Sequence, residues 1–125
     1  MRIIVIEDYK STIELLRHCL AYLHENGEIG EWEICPSAEE AWERIIAQEG
    51  KLDVVFTDVH MLGMGGLALV EKVKKEFKHI KCIVASALDC RAEAKACGAD
   101  DFVRKPYDPT KIGDIARKVL SGVAK

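Results

Sequence analysis

The sequence predicts an α/β fold, an open parallel sheet wound with helices on both faces. Short apolar runs alternate with longer amphipathic segments five times along the 125 residues, and such alternation requires crossover connections between parallel strands. Runs such as "IIVI" and "VVF" are apolar without a polar partner at every second position, which is what strands buried on both faces need. Helix-start and helix-stop residues fall between the runs where this scheme wants them.

Taken in order, the first strand is "RIIVI" (2–6). A helix follows in which Ile13, Leu16, Leu20 and Leu23 recur at helical spacing; "STIE" (11–14) reads as a capping box at its start and Asn26-Gly27 as its stop. "WEIC" (32–35) is the second strand. A second capping box, "SAEE" (37–40), opens a helix carried by Ala38, Ala41 and Ile45 and ended near Gly50. "LDVVFT" (52–57) is the third strand. Leu67, Val70, Val73 and Phe77 then supply the apolar face of a third helix, and Lys72, Lys74, Lys75, Lys78 and Lys81 read as its solvated side. After the fourth strand, "KCIVAS" (81–86), the segment "DCRAEAKAC" (89–97) is a short alanine-rich helix that stops at Gly98. "DFVR" (101–104) is the fifth strand. Asp108-Pro109 places an acceptor before a proline at a first helical turn, and Ile112, Ile115 and Val119 mark the last helix. Five such strands predict the flavodoxin-like order 2-1-3-4-5, in which ligands sit beyond the carboxyl ends of the strands where the order switches, between strands 1 and 3.

Composition narrows the function classes. With 49% hydrophobic and 31% charged residues, the length suits one domain spanning 1–125, with little room for a second. A net charge of -3 gives no whole-chain reason to expect nucleic-acid binding. Cys19, Cys35, Cys82, Cys90 and Cys97 contain no C-x-x-C pair, so they suggest neither a disulfide framework nor a zinc site and fit reduced cytoplasmic thiols. His18, His24 and His79 read as surface residues. No run approaches a membrane span, and "MRIIVIEDYK" turns acidic too soon for a signal peptide, so membrane insertion is not expected.

The strand ends are where the chemistry collects. Strand 1 ends in Glu7-Asp8, strand 3 in Asp58, strand 4 in Ser86 and strand 5 in Lys105-Pro106, while strand 2 runs into Pro36-Ser37 and offers nothing reactive. One edge of the sheet would thus present three carboxylates, a hydroxyl and an ammonium. Any one acidic residue after a strand is commonly a helix cap. Three together repel one another at neutral pH unless a cation neutralises them, and oxygen-only ligands suit Mg²⁺ or Mn²⁺. A metal, a lysine and a hydroxyl can hold phosphoryl oxygens, because phosphoryl transfer needs mainly positioning and charge neutralisation. Asp58, ending the central strand, is the best-placed nucleophile.

These residues resemble the response-regulator receiver domain of two-component signalling. The likeness covers essentially the whole chain, through "VIED", "DVHMLGMGG" from Asp58, "ASA" (85–87), "GADDF" (98–102) and "KPYDP" (105–109). It implies phosphorylation of Asp58 by a histidine kinase or a histidine phosphotransfer protein. It also implies Mg²⁺ bound by Asp8, Asp58 and the backbone carbonyl of His60, with Glu7 acting through water. Ser86 and Lys105 would bind the phosphoryl oxygens, Ser86 and Phe102 would act as the switch pair, and the Lys105-Pro106 bond would be cis. The surface of helix 4, strand 5 and helix 5 would engage an output protein or effector domain, with no direct nucleic-acid contact by this domain. On this resemblance the protein is a phosphoacceptor switch whose only catalysis is its own phosphotransfer and dephosphorylation.

The chain departs from the family in two ways. Leu62 stands where the family usually has proline, which leaves the loop after strand 3 less restrained. The interval from Ser86 to Lys105 is a few residues short, so the fourth helix is expected to be clipped. His60 and Leu88 occupy positions that tune phosphoryl lifetime in the family. Three rival readings differ in kind. A haloacid-dehalogenase-type phosphatase with an aspartate nucleophile needs an acid two positions after Asp58, where His60 stands. A flavin carrier needs phosphate-binding amides where "EDYKST" is acidic. A receiver-like interaction module that has lost phosphorylation is the third reading, set against the presence of every expected site residue. The last helix, "RKVLSGVAK", runs to the terminus without an effector domain, which points to a stand-alone regulator.

Overall fold

Alternate residues of the central strands point to opposite sides of a fully covered sheet, and this divides the core in two. In the computed structural model, which describes residues 1–59 and 63–122, the elements are β1 (Ile3–Ile6), α1 (Lys10–Glu25), β2 (Trp32–Cys35), α2 (Ala38–Ala47), β3 (Val54–Asp58), α3 (Gly66–Glu76), β4 (Lys81–Ser86), α4 (Arg91–Ala96), β5 (Asp101–Arg104), a 3₁₀ turn (Pro109–Lys111) and α5 (Ile112–Ser121). Ile3, Val5, Val54, Phe56, Ile83 and Ala85 pack with Leu16, Leu20 and Leu23 of α1 and Ile112, Ala116 and Val119 of α5. Ile4, Ile6, Val55, Cys82 and Val84 pack with Ala38, Ala41 and Ile45 of α2, Leu69, Val70 and Val73 of α3, and Ala94 of α4. Each large aliphatic side chain so buried contributes about 1.5–3 kcal/mol by leaving water.

The strands are all parallel and lie in the order β2-β1-β3-β4-β5, as the alternation predicts. Among the described residues, no helix is long and apolar enough to cross a membrane. All five cysteines are free thiols, and burial pushes the pKa of Cys35 up to about 11 and that of Cys82 up to about 12. The predicted helix stops at Gly27, Gly50 and Gly98 have positive φ.

Three local expectations need correction or refinement. The "STIE" capping box does not form: α1 begins at Lys10, Tyr9 is its N-cap without a side-chain cap bond, and Ser11 lies inside the first turn. The cause is Glu7, whose Oε2 accepts the Tyr9 N–H at 3.1 Å and sets the entry of the helix before Ser11 is reached. By contrast, Ser37 does cap α2, its Oγ accepting Glu40 N–H at 3.1 Å. In α3 the stripe is centred on Leu69, Val70 and Val73, with Leu67 and Phe77 only partly buried at its margins. Lys74 is not part of a solvated face: its Nζ is 2.9 Å from Asp100 Oδ2 and 3.0 Å from the Ile80 carbonyl. Finally, α4 is as short as expected, at six residues.

Candidate functional site

Strand register brings the polar tips together. Ile6 of β1 lies level with Thr57 of β3, so Glu7 and Asp58, the next residues, leave the sheet side by side. Asp58 is level with Ala85, one residue before Ser86, and Ser86 is level with Arg104, one residue before Lys105. The apolar strand residues fix this register, because sliding by one position would turn each side chain to the other face.

Carboxylate oxygens of Glu7, Asp8 and Asp58 all lie within 4.8 Å of one another, with Glu7 buried, Asp58 partly buried and Asp8 exposed. Lys105 closes the group: its Nζ is 3.1 Å from Asp58 Oδ2 and 3.3 Å from Glu7 Oε1. Burial works against the ammonium, but the charges of Asp58 and Glu7, and hydrogen bonds to both, together outweigh it and hold the Lys105 pKa above the ordinary lysine value. Three carboxylates face one ammonium, and they reach solvent through Asp8. Such a donor set, oxygen only and short of positive charge, fits a hard divalent cation and could hold one. The Lys105-Pro106 peptide is cis, in agreement with expectation.

Ser86 is fully buried, and its Oγ accepts the Leu88 N–H at 3.1 Å. By the alternation of β4 it shares a sheet face with Val84, the face on which Phe102 packs. Phe102 is level with Val84, two residues below Ser86 on the neighbouring strand. Its ring is only partly buried, with the Arg91 guanidinium 5.3 Å above it and a cleft of about 760 Å³ between α4 and β5 alongside. His60 and Leu62 lie outside the described residues.

Two features of the site escape sequence reasoning. Tyr107 packs its ring 5.4 Å from that of Phe56, and burial, followed by the negative charges of Glu7 and Asp58, raises its pKa. The only sequence signal for it is an aromatic residue directly after Lys105-Pro106. The second is the loop that leaves Asp58. Thr57 Oγ1 donates to the Asp58 carbonyl at 2.9 Å, and a Cβ placed on Gly66 would collide with that same carbonyl, so α3 must begin with glycine to come this close. Met64 N–H in this loop donates to Glu39 Oε2 of α2 at 2.8 Å. Glu39 reads in sequence only as an acid in the first turn of a helix.

Known proteins place this geometry in a family. The two-component response regulator PhoP of Pseudomonas aeruginosa is 33% identical over 111 residues, which cover 86% of this chain and 46% of PhoP. Chemotaxis protein CheY of Thermotoga maritima is 35% identical over 75 residues, covering 58% of this chain and 62% of CheY. The chain therefore spans less than two thirds of either relative, and only 12% of a longer relative from Arabidopsis thaliana. A response regulator receiver domain protein from Clostridium thermocellum has the same fold, with a TM-score of 0.83 at 22% identity over 97% of this chain and 94% of that one. The family model for the response regulator receiver domain matches residues 3–117, and the chain belongs to that family.

Proposed function

We propose that the protein accepts a phosphoryl group on Asp58 from a phosphohistidine donor, a histidine kinase or a histidine phosphotransfer protein, and so switches the α4–β5–α5 surface toward an output protein or effector domain. The observation that carries this reading is the set of three carboxylates within 4.8 Å, with Lys105 joined to both Asp58 and Glu7. A carboxylate oxygen of Asp58 attacks phosphorus as the bond from phosphorus to the donor nitrogen breaks, and that nitrogen keeps the electron pair and takes a proton from water. Lys105 is already at Asp58 and pairs with the phosphoryl oxygens that arrive there. Asp8 and Asp58, with the carbonyl of His60, would hold Mg²⁺ or Mn²⁺ directly and Glu7 through water; the ion would supply charge neutralisation at the carboxylates and phosphoryl oxygens.

Phosphorylation adds about 1.5 to 2 negative charges and strong acceptors beside Ser86. The Ser86 hydroxyl, now accepting from Leu88 N–H, has its own proton to donate and turns toward the new group. Phe102 shares that sheet face and is only partly buried, so it can move into the space released and reshape the surface toward α4. The protein acts in the cytoplasm, and residues 1–125 form one receiver domain that does not itself contact nucleic acid. Incubation with Mg²⁺ and acetyl phosphate should add one phosphoryl group, labile to hydroxylamine, and none to Asp58→Asn. Equal modification of that variant would overturn the assignment, and a wild-type protein that takes no phosphoryl group would instead be an interaction module.

A further inference from the structure

We propose that Glu39 is a positioning residue for phosphoryl acceptance: from α2 it tethers the loop that leaves Asp58. The proposal rests on the reading of Asp58 as phosphoacceptor. From the residue after Asp58 to the first residue of α3 the chain runs Val59 to Gly66, eight residues of which three are glycine and none is proline. Such a segment has large backbone freedom to lose. Its two ends are fastened, since Val59 N–H donates to the Ala85 carbonyl at 3.2 Å and Gly66 N–H returns to the Val59 carbonyl at 3.2 Å. Between these ends, among the described residues, Met64 N–H is the amide held by a side chain from another element, donating to Glu39 Oε2 at 2.8 Å.

The fit around that carboxylate is close. Gly63 has φ of +76°, and a Cβ built on it would lie 2.5 Å from Glu39 Oε2 and 3.3 Å from its Cδ, so the loop backbone is folded against the carboxylate. Glu39 is itself well placed to hold. It sits in the first turn of α2, whose start is capped by Ser37 and whose neighbours Ala38 and Ala41 are fully buried. The Met64 N–H keeps the Glu39 carboxyl below the usual carboxylate range, so the stronger, charge-assisted form of the bond is present at neutral pH. The tether runs from a rigid helix to a loop that starts at the reacting carboxylate. Holding that loop in one arrangement before the donor arrives lowers the ordering cost at the moment of reaction.

The test compares Glu39→Ala, Glu39→Gln and Glu40→Ala, the last removing a neighbouring charge without touching the loop. Loss of one exposed hydrogen bond should raise amide exchange across residues 63–66 of the metal-free Glu39→Ala protein about fivefold. Its phosphorylation by acetyl phosphate should slow by about the same factor while the melting temperature stays close to wild type. Glu39→Gln keeps an acceptor oxygen and should restore most of both, and Glu40→Ala should change neither. Unchanged exchange in Glu39→Ala would show that no tether exists. Faster exchange with an unchanged rate would show a tether that does not position, and an equal slowing in Glu40→Ala would show a charge effect instead. A wild-type protein that takes no phosphoryl group overturns the phosphoacceptor reading, and this proposal with it, whatever the exchange data.

Discussion

Lys74 and Lys105 each meet an aspartate at an end of the sheet, Asp100 just before β5 and Asp58 at the end of β3. At the first end Lys74 spends its ammonium on Asp100 Oδ2 (2.9 Å), the Ile80 carbonyl (3.0 Å) and the Lys78 carbonyl (3.5 Å), and the same Asp100 oxygen accepts Cys82 N–H at 2.8 Å. Among the described residues Lys74 pairs with Asp100, and backbone groups bind both partners. At the second end Lys105 faces Asp58 and Glu7, with Asp8 beside them. Exposure does not separate the two lysines, whose side chains are 20% and 27% accessible. What differs is the count. A balanced pair is a clasp between α3 and the start of β4 and β5, whereas three carboxylates on one ammonium leave negative charge that a further cation would neutralise.

The largest expected effect tests that difference at its centre. Lys105→Met removes the ammonium held by Asp58 and Glu7, a group that would stabilise charge on the transferring phosphoryl, and phosphorylation of Asp58 by acetyl phosphate should fall about 10²- to 10³-fold. Lys74→Met removes a cation from the other end and should leave the rate of the folded protein near wild type. Equal losses in both variants would mean that the two ends are not distinct in function.

A smaller effect is expected at the clasp, and it concerns stability alone. Asp100→Ala deprives both Lys74 and the Cys82 amide of their acceptor, a loss of about 1–3 kcal/mol for buried partners. The Asp100 side chain is 22% accessible, so solvent screening places the expected value near the lower end of that range. Denaturant unfolding measures it. Thiol labelling gives a local readout: burial pushes the Cys82 pKa up to about 12, so reaction near neutral pH requires this edge to open, and Asp100→Ala should speed labelling of Cys82.

How much of this was legible in the sequence follows from what a strand pattern can encode. Apolar runs ending in Glu7, Asp58, Ser86 and Lys105 put those residues at one edge as soon as the strands were parallel, because register and crossover rules leave few alternatives. Distances within the edge did not need to be known. The start of α1 lies ahead of the capping pattern because the amide of its N-cap residue, Tyr9, is held by Glu7, a residue outside any local capping pattern. Lys74 was misread because periodicity tells which way a residue points but not how far a four-carbon stem can reach back to Asp100, 26 residues on. Glu39 and Met64 are 25 residues apart, and nothing in either local pattern announces their bond. Elements and strand ends were therefore readable, while side-chain bonds between elements were not.

The smallest expected effect is also the one in which the two ends should differ in sign. Asp8 is the exposed member of the acidic set, and its carboxylate oxygen lies within 4.8 Å of oxygens from Glu7 and Asp58. Lys105 is engaged by the other two, so without metal the contribution of Asp8 is mainly repulsive. Replacing it by Asn keeps the shape and removes the charge. The metal-free melting temperature of Asp8→Asn should rise by roughly a few degrees, where that of Asp100→Ala falls. Because repulsion between exposed charges is screened by salt, the gain should shrink between 0.05 M and 0.5 M NaCl on the order expected from the shortened Debye length. Mg²⁺ should reverse the ranking. An ion that binds only the folded state raises stability by mass action, about 2.7 kcal/mol at a hundred times its dissociation constant, so millimolar Mg²⁺ should raise the melting temperature of the wild type and do much less for Asp8→Asn. Phosphorylation should also suffer more from Asp8→Asn than from Glu7→Gln, since Glu7 is proposed to act through water and Asp8 directly. A variant that loses the Mg²⁺ response but gains no metal-free stability would place the repulsion elsewhere in the cluster. A wild-type melting temperature indifferent to Mg²⁺ would remove the reason for treating the surplus charge as a cation site, and with it the contrast between the two ends of the sheet.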